Sequence, residues 1–201
     1  MNLTARMIIV LTVVGLISGA LLATVGMLTQ ERIALNKQRE IEAAILEVVP
    51  GTESSLVVFE DEELTVYAGS DGQGNLLGFA VLTSGTGFQD IITLMFGTNP
   101  DLTIISRLTI LDQKETPGLG ANITSRESFL KFWDSKDSAN PLTLRKPAVS
   151  TAAELAPGEI NTITGATISS EKVLQIVNES LNVVKNLRTE GKLEKEDSHG
   201  S

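Results

Sequence analysis

An uncharged run of 22 residues, Met7 to Leu28, limits what this chain can fold into more than any other feature. As an α-helix it is about 33 Å long, at about 1.5 Å per residue. The hydrocarbon core of a bilayer is about 30 Å thick, so the run predicts one transmembrane helix. Thr12, Ser18 and Thr24 lie within it and can bond back to the helix's own carbonyls. A cleaved signal peptide starting at Arg6 is the alternative, but its apolar core would usually run about 7–15 residues. This run is longer and leads straight into a charged helical stretch, so a retained anchor is expected. The chain then divides into a short tail (1–6), the transmembrane helix (7–28), a juxtamembrane helix (29–49), one folded domain (50–187) and a disordered polar tail (188–201). Gly15, Gly19 and Ala23 form a small-residue stripe that allows close helix packing in a membrane.

Composition removes whole classes of function. Between Pro50 and Leu187 nine Lys/Arg stand against seventeen Asp/Glu. An acidic surface repels phosphate backbones and anionic headgroups, so no nucleic-acid partner is expected. The absence of cysteine excludes disulfides, cysteine-ligated clusters and thiol catalysis. The single histidine, His199, lies in the C-terminal tail, which leaves zinc, haem and serine–histidine chemistry almost without ligands. No metal site and no catalytic acid, base or nucleophile dedicated to a substrate is expected.

Ile33, Ile41, Ile45 and Val48 fall on one stripe of a helix that continues the anchor and packs on the domain. Pro50-Gly51 ends it. Strands are expected over 64–68, 76–83, 91–96 and 102–111, with a hairpin turn at 71–75. Residues 125–133 read as a helix with Phe129, Leu130 and Trp133 inward, 141–147 as a short extended piece, and 169–187 as a helix. A block of strands with helices around it predicts an α+β domain: an antiparallel sheet flanked by helices.

Two segments carry chemistry. Residues 161–170, Asn-Thr-Ile-Thr-Gly-Ala-Thr-Ile-Ser-Ser, hold five hydroxyl residues immediately before and within a helix start. A helix N-terminus presents unpaired N–H groups and partial positive charge, and so holds phosphate well. An ordinary N-cap is the competing reading of the same residues. Residues 114–120, Lys-Glu-Thr-Pro-Gly-Leu-Gly, place Pro117-Gly118 at the centre of a type II turn and leave Leu119 free to cover a flat ligand. A plain strand-to-helix loop is the competing reading there.

Together with the anchor and the Gly85-Thr86-Gly87-Phe88 turn, these motifs resemble the FMN-binding family that includes the G subunit of Rnf electron-transport complexes. The C subunit of sodium-pumping NADH:quinone reductase is a longer relative. The resemblance implies FMN, one per chain, joined through a phosphoester to Thr167 by a separate flavin transferase that uses FAD. It implies that Thr164, Gly165 and Ala166 shape the attachment site. It also implies that Glu115, Thr116, Gly118 and Leu119 lie beside the flavin. The family motif usually has Asp six residues before the modified threonine, whereas this chain has Asn161. An amide still makes hydrogen bonds but carries no charge, and modification is still expected.

The implied role is an electron relay within a membrane-bound, ion-translocating ferredoxin:NAD oxidoreductase, not a stand-alone enzyme. The implied partners are the complex's other membrane subunits. The implied place is a bacterial or archaeal cell membrane, with the flavin domain on the periplasmic or extracellular side. Flanking charge points the other way, since Arg6 stands on one side and Arg32, Lys37 and Arg39 on the other. Three alternatives remain: a quinone-reductase C subunit, a membrane-anchored scaffold without cofactor, and a free-standing FMN reductase.

Overall fold

The computed structural model describes residues 2–193. Helix α1 runs unbroken from Leu3 to Val48. Every residue from Met7 to Leu28 is exposed, and this is the one helix among the described residues long and apolar enough to cross a membrane. Thr12 and Thr24 donate to the carbonyls four residues earlier, at 2.9 and 2.8 Å, which removes their hydroxyls from the apolar surface. The chain falls into two compact units, residues 1–42 and 43–201.

The second unit is built on a six-stranded antiparallel meander: β1 (Ser54–Glu60), β2 (Leu64–Ser70), β3 (Leu76–Thr86), β4 (Ile91–Thr98), β5 (Ile104–Asp112) and β6 (Lys136–Asp137). A parallel pair, β7 (Thr143–Arg145) and β8 (Glu159–Asn161), follows. Helix α2 (Thr167–Thr189) closes the fold. The α+β architecture expected from the sequence is the one observed.

Register places Val66, Val81, Phe96 and Leu108 side by side across four strands, and all four are buried in the core. Helix α2 covers that face with Val173, Ile176, Val177, Leu181 and Val184. Alternation puts Gly69, Gly78, Ala80 and Gly97 on the opposite face. The last turn of α1 rests on this floor of small residues: Val49 Cγ1 comes within 3.3 Å of where a Gly69 Cβ would lie, and a Gly97 Cβ would overlap the Val48 carbonyl. Of the expected stripe, Ile45 and Val48 are buried with Ala44, whereas Ile33 is exposed.

Four features differ from expectation. Residues 125–133 do not form an α-helix but a run of turns ending in a 3₁₀ turn, Leu130–Trp133. Phe129, Leu130, Phe132 and Trp133 are all buried, so the turns place inward the same residues that a helix face would have carried. The strand expected from 102 begins at Ile104, because Leu102 turns with φ 58° while the Asn99 side chain accepts the Thr103 and Ile104 N–H groups. Edge strand β1 escaped detection because its largely exposed residues lack clean alternation. Of the tail expected to be disordered, Arg188 and Thr189 belong to α2 and Leu193 is buried; residues 194–201, with His199, lie outside the described residues.

Candidate functional site

Two tight turns meet at the head of α2. In the first, Gly118 has φ 74° and the Leu119 N–H donates to the Thr116 carbonyl at 3.1 Å, as a type II turn requires. In the second, Gly165 has φ 83° and the Ala166 N–H donates to the Ile163 carbonyl at 3.0 Å. Both left-handed positions favour glycine. The turns touch, since a Cβ on Gly165 would lie 3.4 Å from Leu119 Cδ2. Leu119 remains 49% exposed, which leaves an apolar surface open beside the second turn.

Helix α2 starts without a side-chain cap. Its N-cap is Ala166, and Thr167 is its first residue. The first intrahelical bond runs from the Ser170 N–H to the Ala166 carbonyl at 3.0 Å. The N–H groups of Thr167, Ile168 and Ser169 therefore have no acceptor among the described residues. The nearby hydroxyls serve elsewhere: Ser170 donates to the Ala166 carbonyl at 3.0 Å and accepts the Ile163 N–H at 3.1 Å, and Ser169 donates to Glu115 at 2.6 Å. Among the described residues the buried Thr162 hydroxyl has no partner. Thr167 is half-buried and Thr164 exposed.

Glu115 ties the region together from below. It is buried, and its Oε1 accepts the Phe88 and Gln89 N–H groups at 2.8 and 3.0 Å while Oε2 accepts from Ser169. One carboxylate thus joins the 85–90 turn, the 115–120 loop and the first turn of α2. Two glycines make room for it: a Cβ on Gly87 would lie 2.5 Å from Glu115 Oε1, and one on Gly120 would lie 2.7 Å from Oε2. The resemblance puts Glu115 beside a flavin; in the fold both its oxygens bond to protein. At the rim, Asp90 is held below the ordinary carboxylate range, first by the Ile91 N–H and then by Lys114, 3.3 Å away.

Asn161 has a specific task. It is buried, its Oδ1 accepts the Val149 N–H and its Nδ2 donates to the Val149 carbonyl, each at 2.8 Å. An aspartate could not make the second bond unless protonated. Asn161→Asp is therefore expected to cost about 1–3 kcal/mol at neutral pH. Burial against a carbonyl would raise the new carboxyl's folded pKa above its unfolded value of about 3.9. The lost stability should then return in acid and disappear again as pH rises through the folded pKa. Thermal melts at about pH 4 and pH 7 would show this, and an equal deficit at both would exclude the staple. Ser169 is a further site residue that spacing did not single out; only its place inside the second motif marked it.

The FMN-binding domain family matches residues 87–182, which span the 115–120 loop, the 161–170 segment and most of α2. The G subunit of the ion-translocating oxidoreductase complex of Methanosarcina acetivorans is 28% identical over 186 residues, covering 89% of this chain and 93% of that protein. The G subunit of the proton-translocating ferredoxin:NAD(+) oxidoreductase complex of Clostridium ljungdahlii is 31% identical over 175 residues, covering 87% and 88%. The crystal structure of Shewanella oneidensis NqrC shares the fold, with a TM-score of 0.57 and 21% identity over 73% of this chain and 72% of that one. The fold and the paired loops thus define a domain of the FMN-binding class. Within that class, the chain belongs to the G-subunit family of ion-translocating oxidoreductase complexes.

Proposed function

We propose that this chain is the electron-relay G subunit of an Rnf-type, ion-translocating ferredoxin:NAD oxidoreductase, carrying FMN covalently on Thr167. The observation that carries this reading is the uncapped start of α2. Five hydroxyl residues surround it, none caps it, and Thr167 stands at its first position. That arrangement speaks against a scaffold whose threonines merely cap a helix. The G-subunit names of the relatives favour the Rnf-type role over a quinone-reductase C subunit, for which the likeness is one of fold.

The residues present fit the cofactor. Three free N–H groups and the positive end of α2 would hold the phosphate. Leu119, with the open backbone of Gly165 and Gly118, offers a surface for a flat ring, and Thr116 lies in the same turn to bond its edge. Bound FMN would supply the one- and two-electron chemistry, while the protein holds and orients it. In the attachment step, catalysed by a flavin transferase, the Thr167 hydroxyl oxygen attacks the flavin-bearing phosphorus of FAD. A new P–O bond forms, the bond to AMP breaks, AMP leaves and the hydroxyl proton is released. No electrons are transferred in this step.

Protein made with its transferase is expected to run as a fluorescent band on a denaturing gel, its mass raised by FMN less one water. An unmodified chain under those conditions would exclude covalent attachment. We place the flavin domain outside the cytoplasm, on the family resemblance and against the flanking charge. A Gln73→Cys variant in the exposed 71–75 turn should then react with an impermeant thiol reagent on intact cells; labelling only after lysis would reverse the topology.

A further inference from the structure

One seam runs the length of α2. Lys185 Nζ donates to the Ala139 carbonyl at 3.4 Å; Asn178 accepts the Leu142 N–H and donates to the Leu142 carbonyl, at 3.0 and 2.9 Å; and Glu171 is ion-paired with Lys146. Residues seven apart share a helix face, so 185, 178 and 171 form one stripe. The segment from 139 to 146 climbs that stripe toward the helix N-terminus. Thr167 lies one turn further along the same face, four residues before Glu171. Side chains on a helix lean toward its N-terminus, so Glu171 covers the turn to which Thr167 belongs. The Lys146 ammonium, in contact with Glu171, therefore sits on the helix face that Thr167 shares.

The strap carrying Lys146 is fixed at its far end by the staple between Asn161 and Val149. Lys146 and Glu171 are themselves half-exposed, at 48% and 46%, and the pair between them is a surface pair that exchanges partners easily. A phosphoester on Thr167 would bring a second negative charge beside Glu171. Lys172 donates to Gln175 at 3.3 Å, Lys114 pairs with Asp90, and Arg145 pairs with Glu159 at 4.0 Å.

We propose that Lys146 is the site's phosphate-binding cation, parked against Glu171 and handed to the flavin phosphate at Thr167. The proposal rests on the reading of Thr167 as the attachment point. It assigns opposite effects to two neighbouring charges. With FAD and transferase, Lys146→Gln should take up flavin about 3–10-fold more slowly at low salt, and the gap should narrow as salt screens the charge. Lys146→Arg should restore the rate. Glu171→Gln, which frees the lysine, should match or exceed the wild-type rate. In the loaded protein, Lys146→Gln should also shift the phosphorus-31 resonance of the phosphodiester, a readout in which the transferase has no part.

If both variants are slowed alike, the pair is merely structural and the proposal falls. It falls equally if Lys146→Gln loads at the wild-type rate or leaves the phosphorus resonance unmoved. Those outcomes leave the attachment point standing so long as Thr167→Ala stays unmodified. Flavin uptake by Thr167→Ala would overturn the underlying reading instead.

Discussion

Thr167→Ala, produced alongside a flavin transferase, is expected to carry no covalent flavin. The loss should be complete, because the hydroxyl oxygen is one end of the bond being made. The variant should fold normally. Thr167 is the first residue of α2, is only half-buried and caps nothing, so its truncation should change stability by no more than about 0.5 kcal/mol. Thr164→Ala removes the exposed hydroxyl three residues earlier, at the centre of the Ile163–Ala166 turn, and should still be modified. Thr167→Ser keeps a hydroxyl at the same point of the helix and should also be modified. Intact mass and in-gel fluorescence separate these cases. Modification that followed Thr164 and ignored Thr167 would move the attachment point to the other threonine.

Glu115→Ala should have the largest effect on stability of any single change near the site. It leaves the buried Ser169 hydroxyl without its acceptor and takes the acceptor from the N–H groups of Phe88 and Gln89, whose bonds to it are part-buried. Hydrogen bonds to a charged group are worth about 1.5–3 kcal/mol each, and an unsatisfied buried partner costs about 1–3 kcal/mol. Removing the carboxylate also relieves its own desolvation, which offsets part of the loss. A net cost of about 2–4 kcal/mol follows, or a melting temperature lower by roughly 5–15 °C for a domain of this size. Glu115→Gln should lose less than half of that. Its amide oxygen can accept both N–H groups, and its NH₂ can donate to Ser169. The alanine variant should also take up flavin poorly, because the first turn of α2 and the 115–120 loop lose their common anchor. A Glu115→Ala protein that melts with the wild type would rule out the clamp.

Features governed by local rules were legible along the chain. The long apolar helix follows from an uncharged run of the right length. The Pro117-Gly118 turn follows from a proline preceding a residue with positive φ. The course of α2 follows from apolar spacing, and observed helix and expectation agree to within two residues at each end. Strands β2 to β5 declared themselves by their β-branched and apolar runs. The helix expected over 125–133 is replaced by turns although its apolar spacing suits a helix face: the same residues are buried either way, and spacing does not distinguish the two.

What escaped was pairing over distance. Nothing near Glu115 in the chain announces that it reaches Phe88, 27 residues before it, and Ser169, 54 residues after it. Asn161 looked like a weakened aspartate and is an amide staple on Val149. Lys146 carried no signal at all, and gains one only because α2 and the strap beside it run in step.

Sequence alone therefore determined the long apolar helix, the class of the domain and the two motifs, because helix length, turn geometry and residue spacing act between near neighbours. Tertiary structure decided that the two turns touch, that α2 starts uncapped and that one buried carboxylate holds them together. Those facts depend on contacts across dozens of residues, which register and packing create and local composition does not encode.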